Sequence, residues 1–300
     1  MTQPAPLSPA PRRESPFDWQ ARTWVMGIIN VTPDSFSGDG LLDSGAEQEL
    51  GARVVAQALR MAAEGADILD VGGESTRPGS VPVSSEEELG RVIPAIRAIR
   101  AACALPISVD TSKATVARQA LAAGANLVND VWGLRLDPAM AGLVAEAGVP
   151  VVLMHNRSRP KDAEQRERLG SRYVGVAYGD LVTDIATELS AQVATALAAG
   201  IAPEQIILDP GIGFGKTVEQ NLQLVRRLGE LRALGYPLLI GPSRKSFIGY
   251  TLDVPPGQRV EGTLAAIGVA MCQQAAQIVR VHDVGPTVRF VRMMEAILKA

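Results

Sequence analysis

Short apolar runs rich in β-branched residues recur along the chain, and each ends in a polar residue, Gly or Pro before a longer helical pattern begins. Eight can be marked: Trp24 to Asn30, Asp67 to Gly72, Ile107 to Thr111, Leu127 to Val131, Val151 to His155, Ile206 to Asp209, Leu238 to Gly241 and Ile278 to His282. Near-continuous apolar character predicts strands covered on both faces, as in a parallel sheet. Between the runs, Val54, Val55, Ala58, Leu59 and Ala62 form a helical stripe closed by Gly65. Leu89, Val92, Ile93, Ile96 and Ile99 form another, behind Ser85 and Glu88 in capping-box spacing, with Pro94 predicting a kink or a later start. Gly124, Gly148, Gly200 and Gly235 mark later helix ends.

Alternating strands and helices imply right-handed crossovers between parallel strands. Eight such units favour closure into a single (β/α)8 TIM barrel over a doubly wound open sheet, because polar residues stand at all eight strand ends instead of at one switch point. The 300-residue length suits one barrel, over residues 21–300, with no second domain. Residues 1–20, rich in Pro, Ser and Arg, read as a flexible arm, and the polar segment from Arg157 to Arg172 reads as a mobile loop.

A composition of 47% hydrophobic and 20% charged residues supports a large core. The net charge of −3 provides no cationic surface for a nucleic-acid backbone, but leaves room for a small anionic ligand held by local charges. Cys103 and Cys272 stand far apart without metal or redox spacing, so reduced thiols and a cytoplasmic location are expected. Charge, Gly or Pro interrupts every hydrophobic run well short of the roughly 18 to 20 residues of a membrane span, so a soluble protein is expected.

In a parallel barrel all strand C-termini open on one face, so residues distant in sequence meet there. Read in order, the strand ends supply Asn30, Asp70, Asp110 with Lys113, Asn129 with Asp130, His155 with Asn156, Asp209, Ser243 to Ser246, and Arg280 with His282 and Asp283. Burying several carboxylates beside cations is costly, which argues for a function beyond marking strand ends. The stretches Val31 to Gly40 and Gly72 to Gly79 lack helical period and read as loops at the mouth, the first as a lid.

Asp209-Pro210-Gly211-Ile212-Gly213-Phe214-Gly215-Lys216 lacks the glycine spacing of a phosphate loop. Its glycines are expected to let the backbone approach a flat ligand while Asp209 accepts hydrogen bonds. Ser243 and Ser246 are expected to cap a helix at an anion site after the seventh strand. Arg280 and His282 alternate along the eighth strand and are expected to aim as a cation pair at an anion.

Taken together, several motifs resemble the dihydropteroate synthase family from about Trp24 onward. They are Met26-Gly27-Ile28-Ile29-Asn30-Val31-Thr32-Pro33-Asp34-Ser35-Phe36-Ser37, Asp70-Val71-Gly72-Gly73-Glu74-Ser75-Thr76-Arg77-Pro78-Gly79, Ser108-Val109-Asp110-Thr111, Asn129-Asp130, Met154-His155, the Asp209 to Lys216 segment, Ser243-Arg244-Lys245-Ser246, and Arg280-Val281-His282-Asp283-Val284. The resemblance implies condensation of 6-hydroxymethyl-7,8-dihydropterin diphosphate with 4-aminobenzoate, with Mg2+, giving 7,8-dihydropteroate and pyrophosphate in folate biosynthesis. It implies that Asp110, Asn129, Asp209 and Lys245 hold the pterin, that Asn30, Arg280 and His282 hold the diphosphate, and that Asn30 ligates the metal. Asp110, Asp209, Lys245 and Arg280 would act in catalysis. Phe36, Thr76, Arg77, Pro78, Phe214 and Ser246 would shape the aminobenzoate pocket, with Lys245 beside them.

The resemblance further implies loss of pyrophosphate before amine attack, a site of the kind sulfonamides target and a homodimer, for which Gly262 to Ala276 is a candidate seam. The family commonly continues from Met-His into a short Gly-containing turn, whereas Asn156-Arg157-Ser158-Arg159-Pro160 here leads into an extended charged segment. Two alternatives remain open at this point: a methyltetrahydrofolate-binding methyltransferase barrel, which has no use for a diphosphate site, and a non-catalytic pterin-binding relative.

Overall fold

The computed structural model describes residues 17–19, 21–32, 46–75, 82–159, 162–166, 168–174 and 176–300, with the backbone alone for 46–50 and 165. Eight parallel strands form the central sheet: β1 (Trp24–Asn30), β2 (Ile68–Gly72), β3 (Ile107–Asp110), β4 (Leu127–Asp130), β5 (Val151–Met154), β8 (Ile206–Asp209), β9 (Leu239–Ile240) and β10 (Ile278–Val281). Their order is β8-β5-β4-β3-β2-β1-β10-β9. A parallel bridge between Leu208 and Leu238, with Leu208 N donating to Pro237 O at 2.9 Å, joins the two ends. The sheet is therefore a closed barrel, as the eight periodic units predict, and not a doubly wound sheet.

The described helices are α1 (Ala46–Ala63), α2 (Ser85–Ala102), α3 (Ala114–Ala122), α4 (Ala139–Ala147), α5 (Leu181–Ala198), α6 (Val218–Arg226), α7 (Ser246–Leu252), α8 (Val260–Cys272) and α9 (Val284–Lys299). Strand parity separates two cores. Ile29, Leu69, Val109, Val128, Leu153, Leu208 and Val279 pack outward against helices. Met26, Ile68, Leu127, Val152, Ile207, Leu239 and Ile278, of the opposite parity, fill the barrel interior at its N-terminal end. Phe17 and Trp19, assigned to the arm from composition, are buried in this interior cluster and stack with ring centroids 4.4 Å apart. Towards the strand C-termini the inward parity turns polar, with Asp70, Ser108, Asp110, Asn129 and Asp209 all buried. Residues two apart share a face, so the same alternation that fills the floor also places the polar groups.

Three local expectations change. The N-cap of α2 is Ser84, whose Oγ accepts from Glu87 N at 3.1 Å. Glu88 does not complete a box with Ser85 because it turns into the core and takes Lys113 Nζ at 2.6 Å. Pro94 lies within the continuous α2, so no later start occurs. The charged segment after β5 contains an antiparallel hairpin, β6 (Ala163–Arg166) and β7 (Gly170–Tyr173). Side chains and backbone both dock it: Arg172 lies 4.9 Å from the Tyr250 ring centroid, Tyr250 Oη donates to Gly170 O at 3.1 Å, and Arg259 Nη2 donates to Leu169 O at 2.9 Å. Polar strands paired this way carry no hydrophobic alternation to announce them.

Cys103 is buried and Cys272 exposed, and both are free thiols, as expected. No described helix is long and apolar enough to cross a membrane.

Candidate active site

Strand register brings the interior polar residues to one rim: Asp70 pairs across to Ser108, Gly72 to Asp110, Asp110 to Asn129, and Met154 to Asp209. Arg280, on the inward parity of β10, donates through Nε to Asp70 Oδ2 and through Nη2 to Asp110 Oδ2, each at 2.6 Å. Asn129 Nδ2 donates to Asp70 Oδ2 at 3.3 Å. Burial would lower the Arg280 pKa, but Asp70 and Asp110 outweigh it and raise the value. Burial pushes Asp110 up to about 7 against the opposing pull of Arg280. It pushes Asp209 up to about 6, opposed by the Gly211 N–H and by Lys245 and Lys216. These carboxylates sit at the edge of ionisation at neutral pH, ready to be charged by a ligand that offers donors.

Asp70, a strand-end residue to which the sequence attaches no role, is the anchor of Arg280. Strand parity alone carried that signal, since Asp70 and Arg280 fall on interior positions. In the described site Arg280 is already committed to two carboxylates, and His282 is not its cationic partner. Burial, followed by the nearby Arg280 and Arg244, pushes His282 down to about 3, so the imidazole is neutral at pH 7. His282 N donates to Ser243 Oγ at 3.1 Å, and that hydroxyl lies 3.0 Å from His282 Nδ1. With that hydroxyl donating to Nδ1, the neutral ring carries its proton on Nε2; with the hydroxyl accepting, on Nδ1. The expected cation pair is therefore one cation and one neutral imidazole. Ser243 serves His282 instead of capping α7, whose N-cap is Lys245 without a side-chain cap bond; Ser246 is its first residue.

Lys245 Nζ lies 3.9 Å from the Phe214 ring centroid, a cation–π contact. Phe214 also packs with Val131, Met154 and Trp132, giving the polar rim one apolar wall. The glycine loop differs from expectation. A Cβ at Gly211, which has φ 69°, would collide with the His155 carbonyl oxygen, and one at Gly213 would lie 2.8 Å from Lys245 Cδ. Its glycines thus serve close packing of the loop against protein. Lys216, given no task from sequence, is buried beneath this loop and donates to Gly211 O and Phe214 O at 2.9 and 3.0 Å.

His155 is fully buried, with Nδ1 3.0 Å from Lys216 Nζ and Nε2 3.2 Å from Glu188 Oε2. Burial, then Lys216, pushes its pKa down to about 4. Of the fifth-strand pair, Met154 lines the site and His155 supports it. Asn30 ends β1 opposite Gly72 on the same rim. Asp130, of outward parity, accepts from Trp132 N at 2.9 Å and Leu134 N at 2.7 Å and so shapes a turn. Lys113 Nζ pairs with Glu74 as well as Glu88, bracing the start of the second loop. Phe36, Thr76, Arg77 and Pro78 lie outside the described residues.

The family model "Pterin binding enzyme" matches residues 26–282. The chain is 47% identical over 293 residues to the dihydropteroate synthase of a Synechocystis species, covering 96% of this chain and 95% of that protein. Among solved structures, Xanthomonas albilineans dihydropteroate synthase with 4-aminobenzoic acid has a TM-score of 0.82 at 44% identity, covering 93% of this chain and 94% of that one. The same organism's enzyme in complex with 7,8-dihydropteroate has a TM-score of 0.80 at 41% identity, covering 95% and 96%. A barrel with a polar interior rim, matched at this identity over nearly its whole length, belongs to the dihydropteroate synthase family of pterin-binding enzymes.

Proposed function

We propose that the chain joins 6-hydroxymethyl-7,8-dihydropterin diphosphate to 4-aminobenzoate, releasing pyrophosphate and forming 7,8-dihydropteroate. The observation that carries this reading is the rim itself, where buried Asp110, Asn129 and Asp209 stand beside Arg280 and Lys245. A pterin's amino and ring N–H edge offers paired donors to Asp209, and Lys245 donates to the ring oxygen or nitrogen. Asp110 and Asn129 hold the remaining ring edge. Arg280 Nη1 makes no hydrogen bond to a described residue, so it and His282, in the tautomer with its proton on Nε2, are donors for a diphosphate.

The methylene C–O bond breaks, its electron pair leaves with pyrophosphate, and the cation is delocalised into the dihydropterin beside ionised Asp110. The neutral arylamine then attacks the methylene carbon and sheds a proton to solvent. An arylamine is nucleophilic without deprotonation, so positioning matters more than a strong base. Phe214 and Ser246, with Phe36, Thr76, Arg77 and Pro78 from the loops, would seat 4-aminobenzoate. Diphosphate binding separates this reading from a methyltetrahydrofolate-binding barrel, and turnover separates it from a non-catalytic relative.

The residues fit Mg2+. Asn30 places a neutral side chain at the partly buried end of β1, and no described cluster of three or more His, Cys, Asp or Glu would hold a metal by itself. That sparse set suits an ion held mainly by phosphate and water. When bound, Mg2+ would supply Lewis acidity toward the leaving diphosphate, with the Asn30 oxygen as a ligand. A second copy of the chain would pack through α8 and α9, where Val269 and Met293 are 44% and 61% exposed. Within the suggested seam, however, Gly262 faces Ile248 of its own chain, so the exposed side of α8 and not its whole length would form the contact. Light scattering that gives the mass of one chain at micromolar concentration rejects the dimer.

Coupled pyrophosphate release tests the reaction: release over many turnovers is expected only when both substrates are present, and a sulfonamide should compete with 4-aminobenzoate. Many turnovers without the amine, or none with both, overturn the reading. Arg77→Ala should leave pterin binding intact and reduce kcat/KM for the amine by about tenfold or more, the scale of one hydrogen bond to a charged group. Unchanged kcat/KM counts against Arg77.

Pterin binding should also depend on pH. Donors on the ligand favour ionised Asp209 and Asp110, whose unliganded values stand near 6 and 7. Affinity is therefore full above these values and falls as pH drops through them, by up to about tenfold per unit for each group. Calorimetry in buffers of different ionisation enthalpy should detect proton release near pH 6, where Asp209 is half protonated before binding. A flat affinity from about pH 5 to 8 contradicts the role of these carboxylates.

A further inference from the structure

The Lys216 side chain is 2% exposed, yet it ends in an amine far from solvent. Its Nζ donates to Gly211 O at 2.9 Å and Phe214 O at 3.0 Å, and lies 3.0 Å from His155 Nδ1. An ammonium has three N–H donors and no acceptor, so these three acceptors use all of them. Accepting at Nδ1 leaves the His155 proton on Nε2, which lies 3.2 Å from Glu188 Oε2. Arg157 Nε donates to the other Glu188 oxygen at 2.7 Å. A continuous set of contacts thus runs from α5, through the end of β5, to two carbonyls in the loop between β8 and α6.

That loop connects two site residues. It begins after Asp209, whose Oδ1 accepts from Gly211 N at 2.7 Å, and it carries Phe214, which faces Lys245. The charged groups acting on Lys216 are Asp209, Glu188, Arg157 and Lys245, together with the neutral His155 ring. Burial lowers its pKa to about 7, and Asp209 and Glu188 oppose that fall. A well-packed apolar side chain would avoid the cost of burying this charge, which points to a task in specifying the loop.

We propose that Lys216 and His155 are positioning residues for the transfer: Lys216 ties the Gly211 and Phe214 carbonyls, and His155 orients Lys216, so that Phe214 holds the arylamine while a positive charge supports Asp209. The proposal rests on the reaction given above. Neither residue is assigned contact with substrate.

Lys216→Met is expected to raise KM for 4-aminobenzoate about tenfold, the scale of one lost hydrogen bond to a charged group, with a smaller change in kcat. It should also move the midpoint of pterin binding to higher pH, because the cation beside Asp209 is gone. His155→Leu should raise the same KM, and His155→Gln should restore it to within about threefold, since its amide accepts from Lys216 and donates to Glu188. Activities are referred to pterin-binding sites titrated in each preparation. Should Lys216→Met lack a melting transition, the two His155 variants decide. An unchanged amine KM in the folded variants, or a fall in kcat alone that His155→Gln does not restore, overturns the proposal. Wild-type protein that releases no pyrophosphate overturns the reaction and this assignment together, whereas normal wild-type turnover with unchanged variants overturns this assignment alone.

Discussion

Arg280→Met is expected to destabilise the barrel by about 3–5 kcal/mol, the scale of breaking a buried ion pair on one side. Arg280 donates to Asp70 and Asp110 at 2.6 Å, and Asp70 is fully buried, so the variant leaves two carboxylates inside the barrel without their cation. The deficit should depend on pH. Without the guanidinium, the folded-state pKa of Asp110 rises beyond about 7, while the unfolded value stays near 3.8. A carboxyl raised on folding favours the folded state most below its unfolded pKa and loses that advantage as pH rises through the folded one. The difference from wild type should therefore be smaller near pH 5 than near pH 8, as Asp110 protonates instead of remaining a buried charge. Urea unfolding at both values measures it. A loss below about 1 kcal/mol at the higher pH would mean that water already relieves these carboxylates.

Asp209→Asn should weaken pterin binding by about 1.5–3 kcal/mol, roughly ten- to a hundredfold. The substitution separates ligand binding from folding. An asparagine carbonyl still accepts from Gly211 N, which Asp209 binds at 2.7 Å, so the turn persists. What is lost is the negative charge and the ability to accept a pair of donors through both oxygens. The variant should keep the wild-type melting temperature within a few degrees, because removing a buried charge offsets a weaker turn. Its pterin affinity should vary less across pH 6 than that of wild type, since the group with a value near 6 is gone. Calorimetric affinity equal to that of wild type would remove Asp209 from the pterin site.

The eight apolar runs predicted the strands to within one residue at every end, and β9 alone shortened at both ends, to Leu239–Ile240. They were readable because buried parallel strands need β-branched residues on both faces. The hairpin over Ala163–Arg166 and Gly170–Tyr173 was not readable, because charged partners on other elements hold it and no apolar stripe does. Ser85 and Glu88 satisfied a capping spacing that Ser84 fulfils in fact, since local spacing cannot say which glutamate a distant Lys113 will draw into the core. The rim was partly legible. Arg280 and His282 share a face by parity, but their charges depend on burial and on Asp70, Asp110 and Arg244, which come from β2, β3 and the loop after β9.

By itself the sequence determined the strand and helix periods, the closure implied by eight repeating units, and the set of polar residues at the strand ends. Each follows from local covalent spacing, which fixes the face a side chain occupies. Tertiary structure alone decided the ionisation and pairing of that set: Arg280 between two carboxylates, His282 neutral against Ser243, and Lys216 buried under the Phe214 loop. Burial and charge act through space at a few ångströms, and residues 210 positions apart, such as Asp70 and Arg280, become neighbours only once the barrel closes.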